Sequence, residues 1–122
     1  MKLFSTTLFI GISISSFSQM KVKLTEVTDH IGDSVMVEGK VTDIKSLENV
    51  GSSATYITVG GANSKNSVTV VISGVDRYKF SVKPEEAYKN KSIRITGKVL
   101  SNNGKPEIVV HDPAQIVLVD KK

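Results

Sequence analysis

Five short runs in which apolar and polar residues alternate constrain this chain more than any other feature. "SVMVEGKVTDIK" sets Val35, Val37, Gly39 and Val41 on one side and Met36, Glu38, Lys40 and Thr42 on the other. "TYITVGG" points Ile57 and Val59 one way and Tyr56 and Thr58 the other, and "VTVVIS" keeps Val68, Val70 and Ile72 in phase. "YKNKSIRITGKVLSNNGKPEIVVHDPAQI" supplies two further runs, divided at Asn102-Asn103-Gly104. A period of two is the mark of a strand with one buried face. Five such strands in an open sheet leave both edges exposed, whereas closing the sheet removes them, so an all-β barrel is the economical arrangement. Gly39 sits in the inward row with nothing to pack. A glycine there suits the bend by which one strand serves two sides of a barrel. The inward set expected from phase includes Val37, Val41, Ile57, Val70, Ile95, Val99 and Ile108.

The segments between the runs are short. Leu24, Val27 and Ile31 recur at helical spacing, with Thr25 as a start and Gly32 as a stop, which predicts one or two helical turns. "SLENVGSSA" reads as a polar loop, and "GGANSKNS" as a turn rich in residues that tolerate positive φ. In "GVDRYKFSVKPEEAYKNK", Pro84 followed by Glu85 and Glu86 predicts a short helix between the third and fourth strands. That helix would lay Ala87 or Tyr88, with Phe80, over the open end of the barrel. Pro113 ends the fifth strand, and Val117, Leu118 and Val119 offer a brief closing edge. No repeat or long linker divides the chain.

The first residues read as a leader. Met1-Lys2 is a positive start, Leu3 to Ile14 is mostly apolar, and Ser16-Phe17-Ser18 has the small-residue spacing of a signal-peptidase site. Residues 1–18 are therefore expected to be a cleaved signal peptide, and 19–122 a single domain, exported to the periplasm or secreted. The apolar run is well short of the roughly 20 residues that span a bilayer. The chain has no cysteine, which excludes a disulfide and a lipid anchor on cysteine. The formal charge of +4 falls by one when Lys2 leaves, a mild excess that permits an anionic partner without demanding one. Three of the four phenylalanines leave as well, so the mature chain keeps Tyr56, Tyr78, Phe80 and Tyr88 as its aromatics.

"HIGDSVMVEGKV", "TYITVGG" with "VTVVI", and above all the stretch from Tyr88 to Ile116 resemble the OB-fold nucleic-acid-binding domains of the anticodon-binding and helicase-associated type. The resemblance covers nearly all of Asp29 to Ile116, with Asn90 where a turn glycine is usual. It implies a five-stranded OB-fold barrel with a short helix between strands three and four. It also implies that single-stranded nucleic acid lies across the outward face of strands two and three, framed by two loops. On this chain the face would be Tyr56, Thr58 and Thr69, the first loop Lys45 to Ser53, and the second Ser101 to Lys105. Tyr56 matches the stacking position, Lys40, Lys45, Lys98 and Lys105 would meet phosphates, and Asn102 and Asn103 would meet a base edge or sugar.

The residues themselves leave alternatives open. Tyr56 either stacks on a base or covers a neighbour's aliphatic stem. Arg94, Lys98, Lys89 and Lys91 either attract an anion or make a solvated strand face that resists aggregation. Asn102-Asn103-Gly104 is first of all a hairpin turn. Nothing assembles into a catalytic constellation: there is no cysteine nucleophile, and His30 and His111 stand in unrelated contexts. Adjacent strand residues point to opposite faces, so His111-Asp112 makes a poor chelate and no metal or other cofactor is expected. The expected function is that of a non-catalytic binding module for single-stranded nucleic acid. The alternative is an exported envelope module that binds a protein, a glycan or a small anionic ligand. The leader reading predicts that mass spectrometry of the native protein finds Gln19 as the first residue; an intact Met1 contradicts it.

Overall fold

A computed structural model describes residues 20–49, 52–61 and 64–119. The expected leader and its cleavage point lie outside the described residues. Seven strands follow one another along the chain: β1 (Met20–Val22), β2 (Ser34–Asn49), β3 (Ser52–Gly60), β4 (Ser67–Ser73), β5 (Ser92–Asn102), β6 (Lys105–Val109) and β7 (Ile116–Leu118). The five expected strands are β2 to β6. β7 is the closing edge anticipated from the apolar tail, and β1 is an addition that pairs in parallel with the start of β2.

The pairings of β2 to β6 run in a cycle. Ser34–Lys40 of β2 pairs antiparallel with β5, and Val41–Asn49 pairs antiparallel with β3. From there β3 pairs antiparallel with β4, β4 pairs in parallel with β6, and β6 returns antiparallel to β5. β2 changes partner in the short interval that holds Gly39 and a bulge between Val41 and Asp43. A Cβ on Gly39 would stand 2.7 Å from Val59 Cγ1 and 2.8 Å from Leu24 Cδ1, so the absent side chain is what admits both neighbours. The bulge leaves Thr42 unpaired and shifts the inward phase from Val41 to Ile44.

The inward rows meet in one aliphatic core. Val37, Val41, Ile57, Val70, Ile95, Val99 and Ile108 are all buried, together with Val27, Val35, Val59, Val68, Ile72, Ile93 and Val110. The predicted helical turn is a 3-10 helix over Leu24–His30 that buries Val27 beneath it. It starts at Lys23, whose backbone N–H donates to the Glu26 carboxylate, and not at Thr25. Gly32 follows at φ +95. The hairpin between β5 and β6 has two central residues, Asn103 at φ +56 and Gly104 at φ +83, the signature of a type I′ turn.

One expectation needs correction. The polar loop expected over "SLENVGSSA", and with it the loop Lys45 to Ser53, is mostly strand: β2 and β3 continue pairing to Asn49↔Ser52. Ser and Glu are poor strand formers, but cross-strand pairing of a hairpin overrides that preference. The short helix expected at Pro84 is α2 (Pro84–Ala87), with Glu85 and Glu86 in its first turn, and a second single-turn helix, α1 (Gly74–Arg77), precedes it. Tyr88, just after α2, is buried with its ring edge-on to Phe80 at 6.3 Å, so this pair covers one end of the core as expected.

Because Ile95 is fully buried and Lys98 is exposed on the same strand, their substitutions should separate. Ile95→Ala should destabilise by about 2–5 kcal/mol through lost burial and a residual cavity. Lys98→Ala should change stability by less than about 0.5 kcal/mol in denaturant unfolding. Equal midpoints for the two variants would show that the inward and outward rows are misassigned.

Candidate nucleic-acid interface

The outer face of β2, β3, β4 and β6 is built by register. One row crosses it as Asp43, Thr58, Thr69 and Glu107, the last opposite Leu100 of β5. The next row is Lys45, Tyr56, Val71 and Val109. A third row pairs Ala54 with Ser73. Neighbouring strands lie about 4.8 Å apart, so Lys45 and Val71 flank the Tyr56 ring on either side. Tyr56, Val71 and Val109 are half-buried, whereas Lys45 is exposed and has no partner among the described residues. The row offers an aromatic surface with aliphatic support on one side and a solvated cation on the other.

The structure thus brings together Lys45, Tyr56, Thr58 and Thr69. It sets Asn102 and Lys105 at the far corner of the same face, where they pair across the type I′ turn. One amide N–H of Asn102 donates to Glu107 at 2.8 Å, and Asn103 occupies a turn position at positive φ. Lys40 and Lys98 stand elsewhere. They lie opposite Ser92 and Ser34 at the two ends of the β2–β5 ladder, six residues apart, which is about 20 Å. Arg94, between them, donates to Glu38 at 2.8 Å, so the basic run on β5 is partly a set of cross-strand partners.

Three features of the face escaped the sequence reading. Asp43 and Glu107 put carboxylates at both ends of the threonine row. Glu107 is in phase with Lys105 and Val109, a signal present in the alternation, but its place beside Thr69 depends on the parallel β4–β6 pairing. His111 is the third. Its Nδ1 lies 2.9 Å from Asp76 Oδ2, and since an ionised carboxylate only accepts, Nδ1 carries the proton. Ser73 Oγ donates to the same oxygen at 3.1 Å, and Lys79 Nζ lies 3.1 Å from Asp76 Oδ1 while donating to the His111 carbonyl at 2.9 Å. Asp76 is 5% exposed. The bonds from His111 and Lys79 outweigh its burial and hold its carboxyl below the ordinary value near 3.8.

This cluster pins α1 to the end of β6. It does not arrange a nucleophile, because the Ser73 hydroxyl is turned to the carboxylate and not to the imidazole. Asp112 accepts from the Ala114 N–H at 2.9 Å and caps the 3-10 turn Pro113–Gln115, so the two adjacent residues serve separate structural ends. Among the described residues, no three histidine or acidic side chains gather as metal ligands, and no helix is long and apolar enough to cross a membrane.

No family model matches the chain, and no curated protein matches it. Solved structures do. An OBody bound to hen egg-white lysozyme superposes with a TM-score of 0.60 at 20% identity, covering 88% of this chain and all of that one. The second OB-fold domain of replication protein A from Methanococcus maripaludis gives 0.53 at 16%, covering 84% and 98%. A Klebsiella pneumoniae lipoprotein proposed to bind nucleic acid gives 0.52 at 17%, covering 77% and 76%. At these identities the likeness is one of fold, and the fold is the OB fold.

The Asp76 cluster carries a pH dependence whose sign is fixed. A carboxyl with a lowered folded pKa contributes stability above its unfolded value, and loses it as pH falls through the folded value. Asp76→Asn should therefore lower the unfolding midpoint at pH 7, and the gap to the parent should narrow as the pH falls below the ordinary carboxyl value near 3.8. A gap of constant size from pH 7 to pH 2 contradicts the assignment.

Proposed function

We propose that the protein is a non-catalytic OB-fold module, exported by the leader read in residues 1–18, that holds single-stranded nucleic acid across the outer face of β3 and β4. One observation carries this reading: the register sets Tyr56 between Lys45 and Val71 on the outward side of β3, with the Lys45 side chain exposed. A base stacks on the tyrosine ring, its edge rests on Val71 and Val109, and Lys45 meets the adjacent phosphate. Stacking on an aromatic ring tolerates any base, so this geometry favours binding with little sequence preference. Lys105 extends the basic margin at the β5–β6 turn, whereas Lys40 lies on another ladder and takes no part. The likeness to a replication protein A domain and to a lipoprotein proposed to bind nucleic acid supports the same reading.

A second reading has its own observation. The carboxylates of Asp43 and Glu107 bracket Thr58 and Thr69 and repel a phosphate laid along that row. A protein, a glycan or another ligand with N–H or O–H donors would suit that row, and an OB fold bound to lysozyme is among the neighbours. Salt separates the two, because binding to phosphates releases counterions and binding to neutral groups does not.

Titration of a single-stranded oligonucleotide at two salt concentrations provides the test. Tyr56→Ala should cost about 1–3 kcal/mol for the stacked base and leave the salt slope unchanged. Lys45→Ala should reduce the slope by about 0.7 for each phosphate that the lysine neutralises, and Lys40→Ala should change neither quantity. Affinity weaker than about millimolar at low salt, or an effect of Lys40→Ala equal to that of Lys45→Ala, would sink the reading.

A further inference from the structure

Beyond the outer face, a cavity of 570 Å³ opens where β3 and β4 meet α1 and α2, lined by Ser53, Arg77, Tyr78, Phe80, Ser81 and Lys83. Its volume is in the range of small-molecule sites. Arg77 uses one terminal nitrogen on both Glu85 oxygens, at 3.2 and 3.3 Å, and its remaining N–H groups have no partner among the described residues. Lys83, also in the lining, makes no side-chain hydrogen bond or close ion pair among the described residues, and its charge reaches only Glu85. The carboxylates nearby are already engaged: Glu85 takes the Ser46 hydroxyl as well as Arg77, and Asp76 is held by His111, Lys79 and Ser73. The mouth is therefore basic. Tyr78 stands at the rim with 91% of its surface exposed, an aromatic ring that the fold leaves without packing.

A basic pocket beside an unpacked aromatic ring suits a ligand that joins a planar base to a concentrated negative charge. A terminal phosphomonoester carries about −1.5 to −2 charges at neutral pH, more than an internal diester, and offers three acceptor oxygens. Arg77 meets such a group with a planar fork of donors, and the Ser53 and Ser81 hydroxyls add neutral ones. The position of the cavity is as informative as its chemistry. Ser53 is three residues before Tyr56 on β3, about 10 Å along the strand, and Gly74 follows Ser73 at the end of β4. A nucleic-acid strand leaving Tyr56 in that direction runs into the cavity.

We propose that this cavity binds a nucleotide through a terminal phosphomonoester, with Arg77 and Lys83 on the phosphate and Tyr78 against the base. The nucleotide comes either from the end of a strand held on the outer face, in which case the inference rests on the function proposed above, or free from solution. The experiment compares one oligonucleotide sequence carrying a 5′-phosphate, a 3′-phosphate or hydroxyls at both ends, alongside a free nucleoside monophosphate followed by NMR. One phosphorylated end should tighten binding by about tenfold over the hydroxyl-ended strand. Lys83→Ala and Tyr78→Ala, both at exposed positions, should each remove most of that gain and leave the hydroxyl-ended affinity unchanged. Lys21→Ala, on β1, should alter neither. If the monophosphate shifts the Tyr78 and Lys83 resonances while no oligonucleotide binds, the cavity assignment stands for free nucleotides and the outer-face reading fails. Equal affinity for all three ends with no response to the monophosphate overturns the inference, as does a phosphate gain that survives both substitutions. Retained binding of the hydroxyl-ended strand would leave the outer-face reading intact.

Discussion

The structure depends on β2 serving two partners. One strand that pairs first with β5 and then with β3 turns what would be an open sheet into a cycle of hydrogen-bonded neighbours, and only then can aliphatic residues from every strand meet in one core. Gly39 and the bulge at Thr42 make the turn possible, one by leaving room for Val59 and Leu24, the other by absorbing an extra residue. Their consequence reaches the candidate interface. Without the phase shift at Thr42, Lys45 would face inward with Val41, whereas the observed register places it outward, opposite Tyr56. The cation and the aromatic ring are neighbours because the strand is irregular.

The connection between β4 and β5 is held by polar hubs as well as by Phe80, Ala87 and Tyr88 packed against the core. Asp76 ties α1 to His111 after β6, and Glu85 ties α2 to Ser46 of β2 and to Arg77 of α1. Burial pushes the Glu85 carboxyl up, but the Ser46 hydroxyl, a backbone N–H and the charges of Arg77 and Lys83 outweigh it and leave the group below its ordinary value. Charge-assisted bonds of this kind contribute more than neutral ones and fix geometry as well as energy. They hold two single-turn helices, too short to be stable alone, at the edge of the outer face.

Alternation makes the inward rows legible in the sequence alone: each of the seven residues assigned to the core by phase is buried, and Tyr56, Thr58 and Thr69 lie on the outer face. What alternation does not carry is which strand lies beside which. Glu107 stands next to Thr69, and His111 next to Asp76, through a parallel pairing between strands more than thirty residues apart, and no local pattern encodes it. The same gap let Lys40 and Lys98 be grouped with Tyr56 when the β2–β5 ladder separates them. β1 is three residues long, too short for its periodicity to register. The extended hairpin over Ser46 to Ser53 was hidden for a different reason, since its residues have loop preferences and pairing overrides them.

The central claim is that single-stranded nucleic acid lies on the Lys45–Tyr56–Val71 row. Mapping amide chemical-shift changes during titration with a short oligonucleotide tests it most directly, because the two outer surfaces of the strand ring report separately. The account predicts the largest saturable changes at Lys45, Tyr56, Val71 and Val109, with Glu38, Lys40 and Arg94 on the β2–β5 ladder unmoved. Changes concentrated on Glu38, Lys40 and Arg94, or no saturable change anywhere, would contradict it.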